Sequence, residues 1–107
     1  MRLVRLTSIC LVGAGCALTN TQESDAAAAA ARECIRSQIP LVATTNTDLE
    51  TATEAVLGRC SAQINAERQA FIGRFPGYRD YIEVRWREVD RVRREEVRKA
   101  IAVLRAR

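Results

Sequence analysis

The most reactive side chains in this chain of 107 residues are four cysteines, Cys10, Cys16, Cys34 and Cys60. Thiols can be acylated, paired as disulfides, used as nucleophiles or given to a metal. The chain has no histidine, which removes the commonest general base and any Ser-His-Asp or Cys-His arrangement. No Cys-x-x-C pair occurs either, so a zinc site is implausible. Carboxylates pair locally, Glu95 with Glu96 and Glu88 with Asp90, but they stand among arginines in a helical stretch. They read as solvated helix charges, not as an acid–base couple. Gly13-Ala14-Gly15 is no phosphate loop, because it lies in the apolar N-terminal segment. No catalytic residue, metal or cofactor is expected, and the chain reads as a non-enzyme.

The first two cysteines belong to the N-terminus. Arg2 and Arg5 precede a stretch without charge from Leu6 to Leu18. That stretch is too short to cross a bilayer, which takes roughly 20 apolar residues. It fits the apolar region of a signal peptide, roughly 7–15 residues long. Within it, Val12-Gly13-Ala14-Gly15-Cys16 resembles the lipobox of bacterial lipoprotein precursors, with Gly13 where leucine is usual. The resemblance covers about the first 16 residues and does not extend to the domain that follows. It implies that residues 1–15 are a signal peptide and that Cys16 becomes the N-terminus and carries lipid. Ala17 in place of aspartate then favours the outer membrane, on its periplasmic side. The rival is ordinary cleavage after Ala17, which would release a soluble chain into the periplasm. On either path the protein is exported to the cell envelope.

Export leaves Cys34 and Cys60, an even number in an oxidising compartment. They are expected to form a disulfide, the alternative being two buried free thiols. Closing a loop of that size stabilises a fold by roughly 3–4 kcal/mol.

These residues need elements to position them. Residues 16–24 are polar and aperiodic and read as a tether. Asp25 opens into six alanines, Ala26 to Ala31, the residue with the highest helix propensity. The first helix is therefore expected over 25–38, with Ser24 as N-cap and Pro40 as its stop. Thr47-Asp48-Leu49-Glu50 has the form of a capping box and opens a second helix over 48–74. Its apolar residues Leu49, Ala52, Val56, Leu57, Cys60, Ile64 and Phe71 share one face. Gly58 inside it either weakens the helix or permits a close approach. Pro76-Gly77 breaks the pattern. A third helix over 78–106, about 42 Å long, carries a broad stripe from Tyr78, Tyr81, Ile82 and Trp86 to Val103 and Leu104. Glu83–Arg87, Asp90–Arg94 and Glu95–Lys99 have the spacing of ion pairs along it. The fold class is all-α: a small three-helix arrangement over 25–107, an antiparallel hairpin plus a long C-terminal amphipathic helix.

Charge divides along the chain. Ala17 to Gly73 holds four basic and seven acidic residues; Arg74 to Arg107 holds 11 basic and six acidic. The plainer reading is attraction between the two halves within one fold, and the sharper one is a basic face for an anionic partner. The overall charge of +4, which includes Arg2 and Arg5, is too small to imply nucleic acid. All five aromatics, Phe71, Phe75, Tyr78, Tyr81 and Trp86, straddle Pro76-Gly77. They can form core there, or a surface for a partner or glycan. The first two helices are shorter or shallower than the third, so its distal part, from about Val97, is expected to stay partly exposed. Trp86, Val97, Ile101, Leu104 and Arg105 are then the candidate partner surface, for another protein or a second copy. Two functions fit: a non-catalytic, lipid-anchored envelope protein that binds or scaffolds, and a soluble periplasmic inhibitor or adaptor acting on another protein.

Overall fold

The structure, a computed structural model, describes residues 20–107. The signal segment, the lipobox-like cysteine and the first part of the tether lie outside the described residues. Four α-helices and no strand occur among the described residues: α1 (Asn20–Ala43), α2 (Leu49–Arg59), α3 (Ser61–Gly73) and α4 (Arg79–Arg105), with a 3-10 turn at Pro76–Tyr78 before α4. The fold is all-α, with four helices where three were expected.

The alanine run does drive α1, but the helix is longer at both ends than the sequence signals implied. Ser24 lies inside it and is buried, so it is not a cap, and residues 20–24 are helix, not tether. Pro40 does not stop it; the helix carries on to Ala43. Proline removes a donor and crowds the preceding turn. Here Val42 beyond it is almost wholly buried in the core, and tertiary packing overrides the local preference. The last carbonyls of α1 find donors. Thr45 N–H and Thr45 Oγ1 both donate to the Val42 carbonyl, at 3.0 and 2.6 Å, and Arg105 Nε donates to the Ala43 carbonyl at 3.0 Å.

The second expected helix is two. Asp48, not Thr47, is the N-cap of α2: the Thr51 N–H donates to Asp48 Oδ1 at 2.7 Å. That backbone bond, then the Thr51 hydroxyl, holds the Asp48 carboxyl below its ordinary value. Glu50 is free of the expected box and reaches Arg98 instead, at 2.7 Å. The chain leaves helical geometry at Cys60, with φ −107° and ψ 16°, and resumes at Ser61. Gly58 faces open space, so it permits no close approach. At that break Cys60 is fully buried and bonded to Cys34 of α1.

The disulfide joins α1 to the α2–α3 junction, and Gln38 accepts from Arg59 beside it. The N-terminal part of α1 therefore runs back along α3, its most extensive neighbour. α4 runs antiparallel to α2, as the pairs Arg94–Glu54 and Arg98–Glu50 show. The core comprises Ile35 and Val42 of α1, Ala52, Val56 and Leu57 of α2, Cys60, and Val97 and Ile101 of α4. Toward the other end Phe71 of α3 meets Trp86 of α4, ring centroids 5.8 Å apart.

Candidate functional site

The side chains marked out in the sequence as a partner surface mostly serve the fold. Val97 is 3% exposed and Ile101 is 0% exposed, both within the core, and Trp86 is buried as well. The expectation that α4 is partly exposed from Val97 onward fails at Val97 and Ile101, which are covered, while Val103 beyond them is exposed. The reason is geometric: α1 extends past Pro40, so Ile39, Val42 and Ala43 reach the distal part of α4. Arg105 is likewise engaged. Its guanidinium donates to the carbonyls of Ala43 and Thr45, where a cation also meets the negative end of α1. Leu104 and Arg105 are half-buried, and Leu104 lies in the wall of a cleft.

Other residues of α4 are left uncovered. Tyr78 is 67% exposed, and Tyr81, Val84, Val92 and Val103 are also exposed. Tyr78, Tyr81, Arg85, Val92, Lys99 and Val103 lie on one side of the helix at 100° per residue, roughly a third of a turn from the line of Ile82, Trp86, Val97 and Ile101. Their spacing carried this signal. It is missed when both sets are read as one broad stripe.

Clefts follow this uncovered side from end to end. At the 3-10 turn, Phe71, Arg74 and Phe75 face Tyr78, Tyr81, Ile82 and Arg85 across an open cradle of about 520 Å³. The Arg74 guanidinium sits over the Phe75 ring, 5.5 Å from its centroid. Proline at the start of the turn sets its backbone, and the break between α3 and α4 brings the two sets of rings together. No carboxylate lines the cradle, and among the described residues neither Arg74 nor Arg85 makes an ion pair. The aromatic cluster thus divides: Phe71 and Trp86 pack together, while Phe75, Tyr78 and Tyr81 face out.

At the far end, α1 and α4 enclose a groove of about 450 Å³. Its walls are Ile39, Pro40, Ala100, Val103 and Leu104, and its rim is Arg36, Lys99 and Arg107. Arg36 pairs with Glu33 at 2.7 Å, whereas Lys99 and Arg107 have no ion-pair partner among the described residues. Both clefts can therefore take a ligand that is apolar in body and negative at its edge.

The acids of α4 are mostly engaged. Arg91 bonds both oxygens of Glu88, at 2.5 and 3.1 Å, and holds that carboxyl below its ordinary range. Asp90 meets Arg94 at 3.5 Å, as the spacing implied, but Glu83 turns to Arg68 of α3 and Glu95 to Arg98. No group of three or more potential metal ligands occurs among the described residues, and no described helix is long and apolar enough to cross a membrane. No protein-family model matches the chain, and no characterised protein or solved structure is detectably similar to it.

Proposed function

We propose that this chain is a non-catalytic envelope protein, anchored by lipid on Cys16, which binds or scaffolds an acidic partner along the uncovered side of its last helix. The observation that carries this reading is the pair of clefts with cationic and apolar walls at the two ends of that side, the aromatic cradle at Phe71–Arg85 and the groove at Ile39–Val103; Glu88 and Glu96 line the shallower cleft between them. Arginine and aromatic side chains are the commonest anchors at protein contacts, and an apolar floor with a charged rim is the usual anatomy of such a site. The anchor rests on the residues before Cys16: Ala14-Gly15 and the uncharged stretch from Leu6.

A soluble adaptor is the second reading. The groove beside Val103 suits it equally, since that site can hold a protein segment whether or not Cys16 is acylated.

The test is a double substitution, Lys99→Glu with Val103→Glu. Both residues are exposed, so circular dichroism should match the wild type. Crosslinking in whole cells should lose the adduct that the wild type forms, and the intact mass of the membrane fraction should show acylation at Cys16. A wild-type chain that forms no adduct, or a double variant that keeps it, contradicts the contact. A product without acyl mass leaves the adaptor.

A further inference from the structure

The cradle lies at the end of the molecule where the chain enters the fold. Cys34 and Cys60 tie α1 to the start of α3. Going from Cys34 back to Asn20 covers 14 residues of helix, about 21 Å, and going from Cys60 on to Arg74 covers the same, at 1.5 Å per residue. The two stretches leave the disulfide side by side, α1 lying along α3 more extensively than along any other element. Asn20 therefore comes level with Arg74 and the 3-10 turn. Four peptide steps separate Asn20 from Cys16, which span at most about 14 Å.

From this placement we infer that the Phe75–Tyr78–Tyr81 tip, with Arg74 and Arg85 beside it, is a second membrane contact that enters the interface of an anionic leaflet beside the acylated Cys16. The inference rests on the anchor reading above for its setting and on the tip's own chemistry for its occupant. A lipid on Cys16 holds Asn20, and with it the turn, within about 14 Å of the headgroups. Aromatic rings with a polar edge concentrate at that depth. Arg74 and Arg85, both in the cradle walls and outside every ion pair among the described residues, match phosphate; of the two carboxylates between them, Glu83 is taken by Arg68 and Asp80 is no part of the cradle wall. Phe75, Tyr78 and Tyr81 are all exposed, and burying them in the interface removes apolar area from water. The contact also orients the molecule. The loop at 44–48 and the Ile39–Val103 groove, beyond the disulfide, are held away from the bilayer and open to a partner.

The experiment uses the protein isolated from the membrane fraction, reconstituted in vesicles of phosphatidylglycerol and phosphatidylcholine containing brominated phosphatidylcholine. Two variants each add one indole to the wild-type signal of Trp86: Tyr78→Trp at the tip and Asn46→Trp in the far loop, both at exposed positions. The added fluorescence of Tyr78→Trp should be quenched at least about twofold by the buried bromine, and that of Asn46→Trp should not. Equal quenching of both, or of neither, overturns the tip contact even where intact mass shows the acyl group. If intact mass shows no acyl group, the anchor reading fails on its own, and flotation of the same unacylated protein decides the tip. Binding to phosphatidylglycerol vesicles that Arg74→Gln with Arg85→Gln weakens roughly thirtyfold at low salt sustains it. Absence of binding, or binding indifferent to those arginines, overturns it.

Discussion

Glu67 of α3 and Arg93 of α4 meet at 2.6 Å with side chains only 10% and 12% exposed, and a second bond of 3.1 Å makes the pair bidentate. Among the described residues every other inter-helix ion pair is markedly more exposed. Desolvating two charges offsets much of their attraction, so the pair adds little over an apolar contact of the same shape. Losing one member is different, because the survivor stays buried without a partner. Arg93→Met should therefore cost about 3 kcal/mol in urea denaturation, the low end for a broken buried pair, since both groups still touch water. The double variant Glu67→Leu with Arg93→Met should return to within about 1 kcal/mol of wild type. Equal losses in the single and double variants would show that packing, not the unpaired charge, sets the cost.

At the scale of elements, α4 is two surfaces on one helix. Ile101 is inside and Val103, two residues on, is 56% exposed. Ile101→Ser removes buried methyls and leaves a hydroxyl in the core, so it should cost at least about 4 kcal/mol. Val103→Ser should change stability by less than about 0.5 kcal/mol. Thermal melts followed by circular dichroism read both, and a benign Ile101→Ser would remove α4 from the core. This contrast marks where the sequence was legible. Helical period, the turn at Pro76 and the all-α class followed from spacing, and the parity of Cys34 and Cys60 pointed to the disulfide that is present. The partner surface did not follow. A stripe from Tyr78 to Leu104 was broad enough to hold a buried line and an exposed one, and only the neighbours decide which is which. The same holds at Pro40 and Ser24. Local preference argues for an end to α1 at both, and the burial of Val42 and of Ser24 itself, which no local window contains, carries the helix through. The break at Cys60 was hidden too, because the apolar period runs across it from Val56 to Ile64 while the backbone does not.

For the molecule as a whole, shape and charge compensate each other. The fold is flat, 52 × 41 × 17 Å, with a radius of gyration of 17.7 Å against about 13 Å for a compact domain of 100 residues. A plate this thin buries a small core, so contacts between helix surfaces hold a larger share of its stability. Those contacts join the acidic first half of the chain to the basic second half: Glu50 with Arg98, Glu54 with Arg94 and Glu67 with Arg93. The first two pairs are well exposed and so are screened by salt, while the third is sheltered from it. Exposed pairs contribute up to about 1 kcal/mol each. Raising sodium chloride from about 0.02 M to 0.5 M, where the Debye length falls well below 10 Å, should therefore lower the urea midpoint by an amount equivalent to about 1 kcal/mol. The variant Arg94→Gln with Arg98→Gln should start lower and lose almost nothing further as salt rises. A wild type indifferent to salt, or a variant as sensitive as the wild type, would mean that the charge asymmetry does not bind the halves together. Of the cations of the second half that stand outside these pairs, Arg74, Arg85, Lys99 and Arg107 line the clefts on the uncovered side of α4, where an anionic surface or partner can meet them.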